Sequence, residues 1–181
     1  MNLELETLFV SLGSKDNAVR RQALDELLKQ TQVPVSWFDE AFEELQAKLV
    51  SEDSFQRSIG MMLLCNLAGS ETSHSLDDLT GNILELLSDE KFITRRQCIQ
   101  NIWKIASFHP RLIPRITQAL TQLFDTCIQQ DHHNLIRRDI VESLSALSEA
   151  RPDEYPKDRI LSLIATETDP KLKKVLLKQL S

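Results

Sequence analysis

The feature that most constrains the fold is a short pattern of basic residues followed by apolar ones, which recurs five times along the 181-residue chain. The second basic residue of each copy serves as a reference position, and these positions are spaced by 36, 39, 42 and 36 residues: Arg21, Arg57, Arg96, Arg138 and Lys174. Nearly all residues two, three and six positions after the reference are apolar, as Ala23, Leu24 and Leu27 are in the first copy. Such offsets place side chains on one stripe of a helix.

A second set of apolar-periodic segments lies between the recurring ones. Each recurring segment is therefore predicted to be the inner helix of a pair, preceded by its outer helix. Five pairs are predicted at approximately residues 1–31, 35–69, 76–107, 111–149 and 155–181. A fixed period with two amphipathic helices per unit is typical of a helical solenoid, in which each layer covers the apolar face of the next. The prediction is an all-α chain forming a single repeat domain over residues 1–181.

Two turn-then-helix stretches carry a more specific signature. Asp16–Ala23 (Asp-Asn-Ala-Val-Arg-Arg-Gln-Ala) and Asp169–Lys174 (Asp-Pro-Lys-Leu-Lys-Lys) resemble the Asp-x-x-Val-Arg signature of the HEAT-repeat family. Around Asp53, Asp89 and Asp131 the distance from aspartate to reference residue varies from four to seven residues, which predicts irregular repeats with longer central loops.

The resemblance to HEAT repeats implies an armadillo-type fold, a right-handed α-α superhelix of about five HEAT-like helix pairs. It also implies that the inner helices line a concave surface that binds partners. Tetratricopeptide repeats fit less well, because their period is ~34 residues and their small-residue pattern has no counterpart among the four glycines of this chain.

Charge is unevenly distributed along the chain. Residues 1–90 contain 6 lysines and arginines against 17 aspartates and glutamates, a net charge of −11. Residues 91–181 contain 15 against 10, a net charge of +5, so the whole chain carries −6. We expect the first half to favour basic partners and the second half acidic ones.

Composition and patterning predict a cytoplasmic location. The first residues, Met-Asn-Leu-Glu-Leu-Glu, are acidic and lack the basic and long apolar parts of a targeting signal. No run of ~18 apolar residues is present, so no membrane span is predicted. Cys65, Cys98 and Cys127 are widely spaced and fall at apolar helical positions, which favours a reducing compartment over a disulfide framework or a zinc site.

Adjacent basic residues at the start of the predicted inner helices are the main candidate binding residues. A cation in the first turn opposes the helix dipole at a cost of about 0.3–1 kcal/mol, so a negative partner is expected nearby. One interpretation is structural, because turn aspartates of successive HEAT-like repeats pair with such arginines in a ladder between layers. The other is functional, a basic track open to phosphates or acidic side chains. The candidate partner-binding residues, in repeats three to five, are Arg95, Arg96, Arg137, Arg138, Lys173 and Lys174.

Other conspicuous side chains have simpler interpretations. Trp103 lies at the edge of an apolar stripe and Trp37 opens an outer helix beside Phe38, so both are predicted to pack in or beside the core. His132 and His133 are adjacent on a predicted turn and point in different directions, and no carboxylate or thiol at suitable spacing completes a metal site. No metal and no cofactor is predicted.

The sequence favours binding over catalysis. It contains no glycine-rich phosphate loop, no Gly-x-Ser-x-Gly and no His-Glu-x-x-His motif. The first hypothesis is a non-enzymatic scaffold or adaptor that holds a protein partner on the concave face of the solenoid. The alternative is a nucleic-acid-binding protein similar to the HEAT-like DNA alkylation-repair glycosylases, using the basic C-terminal half. A third hypothesis, a relative of the HEAT-like lyases that attach or modify cofactors, depends on the repeat type alone.

Overall fold

The chain is all-helical, as the apolar periodicity predicts. A computed structural model describes residues 2–180, and no β-strand occurs within that range. The same range contains eleven α-helices: α1 (Leu3–Leu12), α2 (Asn17–Gln30), α3 (Phe38–Leu49), α4 (Ser54–Asn66), α5 (Ser75–Glu85), α6 (Phe92–Asn101), α7 (Trp103–Phe108), α8 (Ile113–Thr126), α9 (His133–Ala150), α10 (Lys157–Ala165) and α11 (Pro170–Gln179). Short 3₁₀ segments lie at Leu67–Ser70, Leu86–Ser88, Pro110–Leu112 and Cys127–Gln129.

Helices α6 and α7 together occupy the stretch predicted as one inner helix. Only Ile102 separates them, and its φ of −62° and ψ of −24° keep the backbone helical. The Ile102 carbonyl accepts a hydrogen bond from the N–H of Ile105 at 3.1 Å, three residues later. The interruption is therefore a tightened 3₁₀-type turn.

Aspartates determine where three of the inner helices begin. Asp16 accepts a hydrogen bond from the backbone N–H of Ala18 at 2.8 Å, and Asp53 accepts one from that of Phe55 at 2.9 Å. Asp169 accepts the corresponding bond from Lys171 at 2.8 Å. Each carboxylate thereby satisfies a first-turn amide that has no partner inside its own helix.

These N-caps correct the alignment of the repeats. The fourth residue after each cap is Arg20, Arg57 or Lys173. Arg20 and Lys173 are therefore the residues equivalent to Arg57, and the choice of Arg21 and Lys174 as reference positions was wrong by one. Neighbouring positions on a helix differ by about 100°, so this shift changes which basic residue faces the next repeat.

The chain divides into two compact units, and the first ends at Cys98. In this unit α1 packs against α2 and α3 against α4, while α2 also contacts α4 and α3 contacts α5. Its fully buried side chains come from every one of these helices and include Leu12, Leu27, Leu45, Leu63 and Ile83. The first unit therefore has a continuous apolar core of its own.

The second unit begins at Ile99 and is built around α9. This helix packs against α7, α8, α10 and α11. Ile140 and Leu144 of α9, Ile116 and Phe124 of α8, and Leu176 of α11 are fully buried. Because α9 contacts all four of these helices, it is the central element of the second unit.

Two further sequence predictions concern spans and thiols. None of the helices within residues 2–180 has both the length and the apolar character needed to cross a bilayer. Cys65, Cys98 and Cys127 are buried and form no disulfide with one another, as their apolar positions predict. Burial raises the pKa of the Cys98 thiol well above its usual value, which keeps the thiol in its unreactive neutral form.

Candidate functional site

A buried ion pair joins Arg57, at the start of α4, to Asp89 in the turn before α6. Arg57 Nε donates to Asp89 Oδ2 at 2.6 Å and a terminal nitrogen donates to Oδ1 at 2.9 Å, so the contact is bidentate. The side chains are 12% and 3% exposed. An arginine near the start of one helix and an aspartate in a later turn thus form the kind of ladder contact that the structural interpretation of the basic residues predicted.

A second buried pair removes Arg137 from the candidate binding surface. Its guanidinium donates to Glu167 Oε2 at 2.6 Å and to the Phe124 carbonyl at 3.0 Å, and it lies 4.5 Å from the centroid of the Phe124 ring. Arg137 is only 5% exposed. All of these contacts lie within the second unit. Arg137 therefore connects α9 to the turn before α11, and its guanidinium is not available to a partner.

The other candidate cations of the second unit differ among themselves. Lys173 is half-buried and its ammonium donates to the carbonyl of Ala165 at 2.7 Å, which makes it a structural residue. Arg138 and Lys174 are exposed. Their charges are therefore accessible on α9 and α11.

The remaining candidates, Arg95 and Arg96, are half-buried in the first turn of α6. Their guanidinium carbons lie 5.6 and 5.8 Å from the centroid of the Phe92 ring. Both are within the range of a cation–π contact. They thereby pack beside an aromatic residue that lines the groove described next.

An apolar groove of about 620 Å³ crosses the first turns of α2, α4 and α6. Leu24, Ile59 and Met62 line it together with Phe92. The side chains that stand out most are Phe55 on α4, which is 60% exposed, and Ile93 on α6, which is 70% exposed. A concavity of this size that is lined by apolar side chains is typical of sites that bind ligands or partner side chains.

Arg20 lies at the rim of this groove, stacked on Phe55. Its guanidinium carbon is 4.5 Å from the ring centroid, and its terminal nitrogens donate to the Ser14 carbonyl at 3.1 Å and to Asn17 Oδ1 at 2.6 Å. No carboxylate within residues 2–180 forms an ion pair with it. The structurally equivalent Arg57 is neutralised by Asp89, so Arg20 is the ladder position whose charge has no acidic partner.

The other cations at the groove are partly compensated. Arg21 donates through Nε to both oxygens of Asp25 at 2.8 Å. The Lys91 ammonium lies 3.5 Å from a carboxylate oxygen of Glu90. Arg20 is therefore the group at which an incoming anion meets the least competition.

The sequence patterns did not point to this groove. They placed the candidate cations in repeats three to five, whereas the groove is lined by α2, α4 and the start of α6, so that of these candidates only Arg95 and Arg96 lie beside it. A signal was present, because Phe55 and Ile93 each stand two residues before an arginine, Arg57 or Arg95, at a first-turn position outside the buried stripe. Two large apolar residues at the same exposed helical position form a patch once α4 and α6 lie side by side.

Histidines and tryptophans do not form a second site. His132 is exposed and His133 is half-buried, and no group of three or more His, Cys, Asp or Glu residues within the described range could hold a metal ion. The Trp103 indole N–H donates to the Gln100 carbonyl at 3.1 Å. Trp37 makes an edge-on contact with Phe9 at 5.9 Å between centroids, in agreement with the predicted packing beside the core.

Comparison with known proteins gives a fold and no activity. Three crystal structures of engineered proteins from the Northeast Structural Genomics Consortium match the chain with TM-scores of 0.60, 0.57 and 0.57. The sequence identities are 19%, 19% and 16%, and the matches cover 99% of this chain and 78%, 47% and 80% of the engineered chains. The chain matches no protein-family model, and no curated protein matches it significantly. At these identities the likeness concerns the fold alone.

Proposed function

We propose that the protein is a non-enzymatic adaptor that binds a segment of a protein partner in the apolar groove across α2, α4 and α6. The observation that carries the proposal is the exposure of Phe55 and Ile93, two large apolar side chains that line one concavity. Aromatic residues are enriched at protein interfaces, and the residues that dominate binding energies there lie in well-packed, desolvated pockets. Covering them removes apolar surface from water, which favours association.

We infer that the chain is a right-handed solenoid of the HEAT type. Three features support this assignment: the order of the helices, the packing of consecutive helices α1 with α2 and α3 with α4, and the ladder contacts of Arg57 and Arg137. In such a solenoid the inner helices line the concave surface. The groove, built from inner helices, would then lie on the surface that repeat proteins use for binding.

A cytoplasmic location is part of the same proposal. The three cysteines are buried and form no disulfide with one another, which suits a compartment that keeps thiols reduced.

The experiment that tests the groove is selection of peptides from a randomised display library against the whole chain. We expect enriched peptides to carry large apolar residues and to lose at least tenfold in affinity toward the variants Phe55→Ala and Ile93→Ala. Because both side chains are largely exposed, these variants should unfold at nearly the same temperature as the parent protein.

A matched control is Val10→Ala. Val10 is 78% exposed on α1 and does not line the groove, so this variant removes exposed apolar surface elsewhere. Peptides that bind the Phe55 and Ile93 variants as tightly as the parent protein, or that are lost only with Val10→Ala, would overturn the proposal.

A second candidate function is nucleic-acid binding by the second half of the chain. The exposed cations Arg138 and Lys174 on α9 and α11 favour it, while the burial of Arg137 removes one contact on which it depends. Titration of a fluorescent DNA duplex over a series of salt concentrations tests it. Binding that weakens steeply with salt and is reduced in Arg138→Ala would support it, and no binding at low salt would exclude it.

A further inference from the structure

We infer that Arg20 selects partners that carry a single carboxylate next to a large apolar side chain. The inference rests on the proposed function, because it names the chemistry of the segment that the groove takes. In this arrangement the apolar side chain enters the groove beside Phe55, and the carboxylate accepts hydrogen bonds from Arg20 at the rim.

The guanidinium of Arg20 has donors to spare. An arginine has five N–H groups, and the contacts within residues 2–180 occupy two of them, with acceptors on Ser14 and Asn17. The Nε–H group of Arg20 forms no hydrogen bond within residues 2–180. A planar guanidinium with free N–H groups binds a carboxylate through two parallel hydrogen bonds, so the remaining donors suit a carboxylate better than a carbonyl.

Phe55 holds this guanidinium in place. The ring centroid lies 4.5 Å from the guanidinium carbon, and the hydrogen bonds to Ser14 and Asn17 hold the two terminal nitrogens. A side chain held on three sides loses little conformational freedom when it binds a ligand. Phe55 therefore serves two purposes, as an apolar contact for the partner and as the support of the cation.

The charge of the first unit limits how acidic the partner can be. Up to residue 98 the chain contains 9 lysines and arginines against 17 aspartates and glutamates, a net charge of −8. A run of acidic residues would be repelled by this field, whereas one carboxylate in contact with Arg20 lies well within the screening length of about 8 Å and is attracted locally. The structure thus favours an apolar segment with one acidic group over an acidic tail.

Matched small probes test the inference without a known partner. We propose to add N-acetyl-leucine or its uncharged amide to the ¹⁵N-labelled whole chain and to follow the Arg20 Nε–H signal and the amides of Phe55 and Ile93. We expect the carboxylate probe to shift these signals and to bind about three- to tenfold more tightly than the amide, as one exposed charge-assisted contact allows. The preference should weaken as salt is raised.

Variants then separate the cation from the groove. Arg20→Met keeps an apolar stem over Phe55 and removes the charge, so both probes should bind it equally well. Arg138→Met is the control, because it removes one exposed positive charge from α9, outside the groove, and should leave the preference intact.

The outcomes distinguish the two proposals. Equal binding of acid and amide to the parent protein, with shifts at Phe55 and Ile93, overturns the role of Arg20 and leaves the groove as a binding site. A preference that survives in Arg20→Met also overturns it. If neither probe shifts Phe55 or Ile93 and no selected peptide depends on them, the groove proposal fails and this inference fails with it.

Discussion

Arg57 and Asp89 form a bidentate ion pair, with donor–acceptor distances of 2.6 and 2.9 Å, between the first turn of α4 and the turn that precedes α6. The same carboxylate also accepts a hydrogen bond from the Lys91 backbone N–H at 2.8 Å. Arg57 in turn donates to the carbonyls of Ser51 and Glu52. The pair therefore connects the start of α4 to the turn before α6, and both side chains form further hydrogen bonds to the backbone.

Removing the charge of Asp89 should destabilise the first unit strongly. In Asp89→Asn the buried guanidinium of Arg57 loses its counter-ion, and uncompensated buried charges of this kind cost about 3–5 kcal/mol. Since Arg57 is 12% exposed, we expect a loss of about 2–4 kcal/mol in the free energy of unfolding, measured by urea denaturation.

The control for this prediction is Asp25→Asn. Asp25 forms the same kind of carboxylate–guanidinium pair with Arg21, but the two side chains are 54% and 75% exposed. Exposed pairs contribute up to about 1 kcal/mol, and i,i+4 helix pairs about 0.3–0.5 kcal/mol. Equal losses in the two variants would show that the Asp89 pair has no special structural role.

Acidification should destabilise the protein through Asp89 and Glu167. Burial alone would raise the pKa of each carboxyl, but hydrogen bonds and the neighbouring arginine outweigh it, and the pKa of each is lowered below its ordinary value of 3.8 or 4.5. The unfolded chain therefore binds more protons than the folded one at low pH, so the free energy of unfolding rises with pH in this range.

The measurement is urea denaturation at pH values from 7 down to 3. The stabilisation should be complete above about pH 5 and should decline as pH falls through the ordinary values and then through the lowered ones. Glu167→Gln should flatten this decline, although it also lowers stability at pH 7 because Arg137 loses its partner. A decline of unchanged steepness in Glu167→Gln would contradict the assignment.

Much of the helical arrangement could be predicted from the sequence, because a buried helical face repeats apolar residues at fixed offsets. The apolar stripe predicted an all-helical chain, and the Asp-x-x-Val-Arg resemblance contains Asp16, which caps α2. The choice between two adjacent basic residues was not predictable in this way. Which of the two basic residues faces the neighbouring helix depends on where the helix begins. The N-caps Asp16 and Asp53 lie four residues before Arg20 and Arg57, and this position identifies those two arginines as equivalent.

The groove was less predictable because it depends on neighbours that are distant in sequence. Phe55 and Ile93 are ordinary surface residues when each helix is considered alone, since isolated exposed apolar residues are common. They become a shared surface only when α4 and α6 flank one concavity. The absence of an ion pair at Arg20 is likewise visible only in three dimensions. Asp53 lies in the connection before α4, where the sequence offers a possible partner, but it forms no ion pair with Arg20.

A methyl group at Gly60 should force α3 and α4 apart. Gly60 is buried in α4, and a Cβ there would lie 2.8 Å from both the Leu45 carbonyl oxygen and Lys48 Cβ. Alanine is favoured over glycine in a helix by about 1 kcal/mol, but overpacking of a closely packed interface costs about 1–3 kcal/mol. We expect Gly60→Ala to lower the free energy of unfolding by about 1–2 kcal/mol.

Urea denaturation of Gly60→Ala should be compared with that of Gly13→Ala. At Gly13 the added Cβ would lie 3.4 Å from the Val10 carbonyl oxygen, an ordinary contact, so that variant should remain within about 0.5 kcal/mol of the parent protein. Stabilisation by Gly60→Ala would mean that helix propensity outweighs the close approach of α3 and α4.

Replacing His74 with glycine should stabilise the start of α5. His74 precedes this helix with φ of 63° and ψ of 18°, a left-handed conformation that costs an ordinary L-residue about 1–2 kcal/mol. Its side chain is exposed and makes no capping hydrogen bond, so little is lost with it. Glycine adopts this conformation freely, but it also makes the unfolded chain more flexible, which offsets part of the gain. We expect His74→Gly to raise the free energy of unfolding by about 0.5–1 kcal/mol and to slow amide exchange in the first turn of α5.

His74→Ala is the matched control, because alanine removes the same imidazole and keeps the backbone strain. If the glycine and alanine variants are equally stable, the left-handed backbone at residue 74 does not limit the stability of this turn.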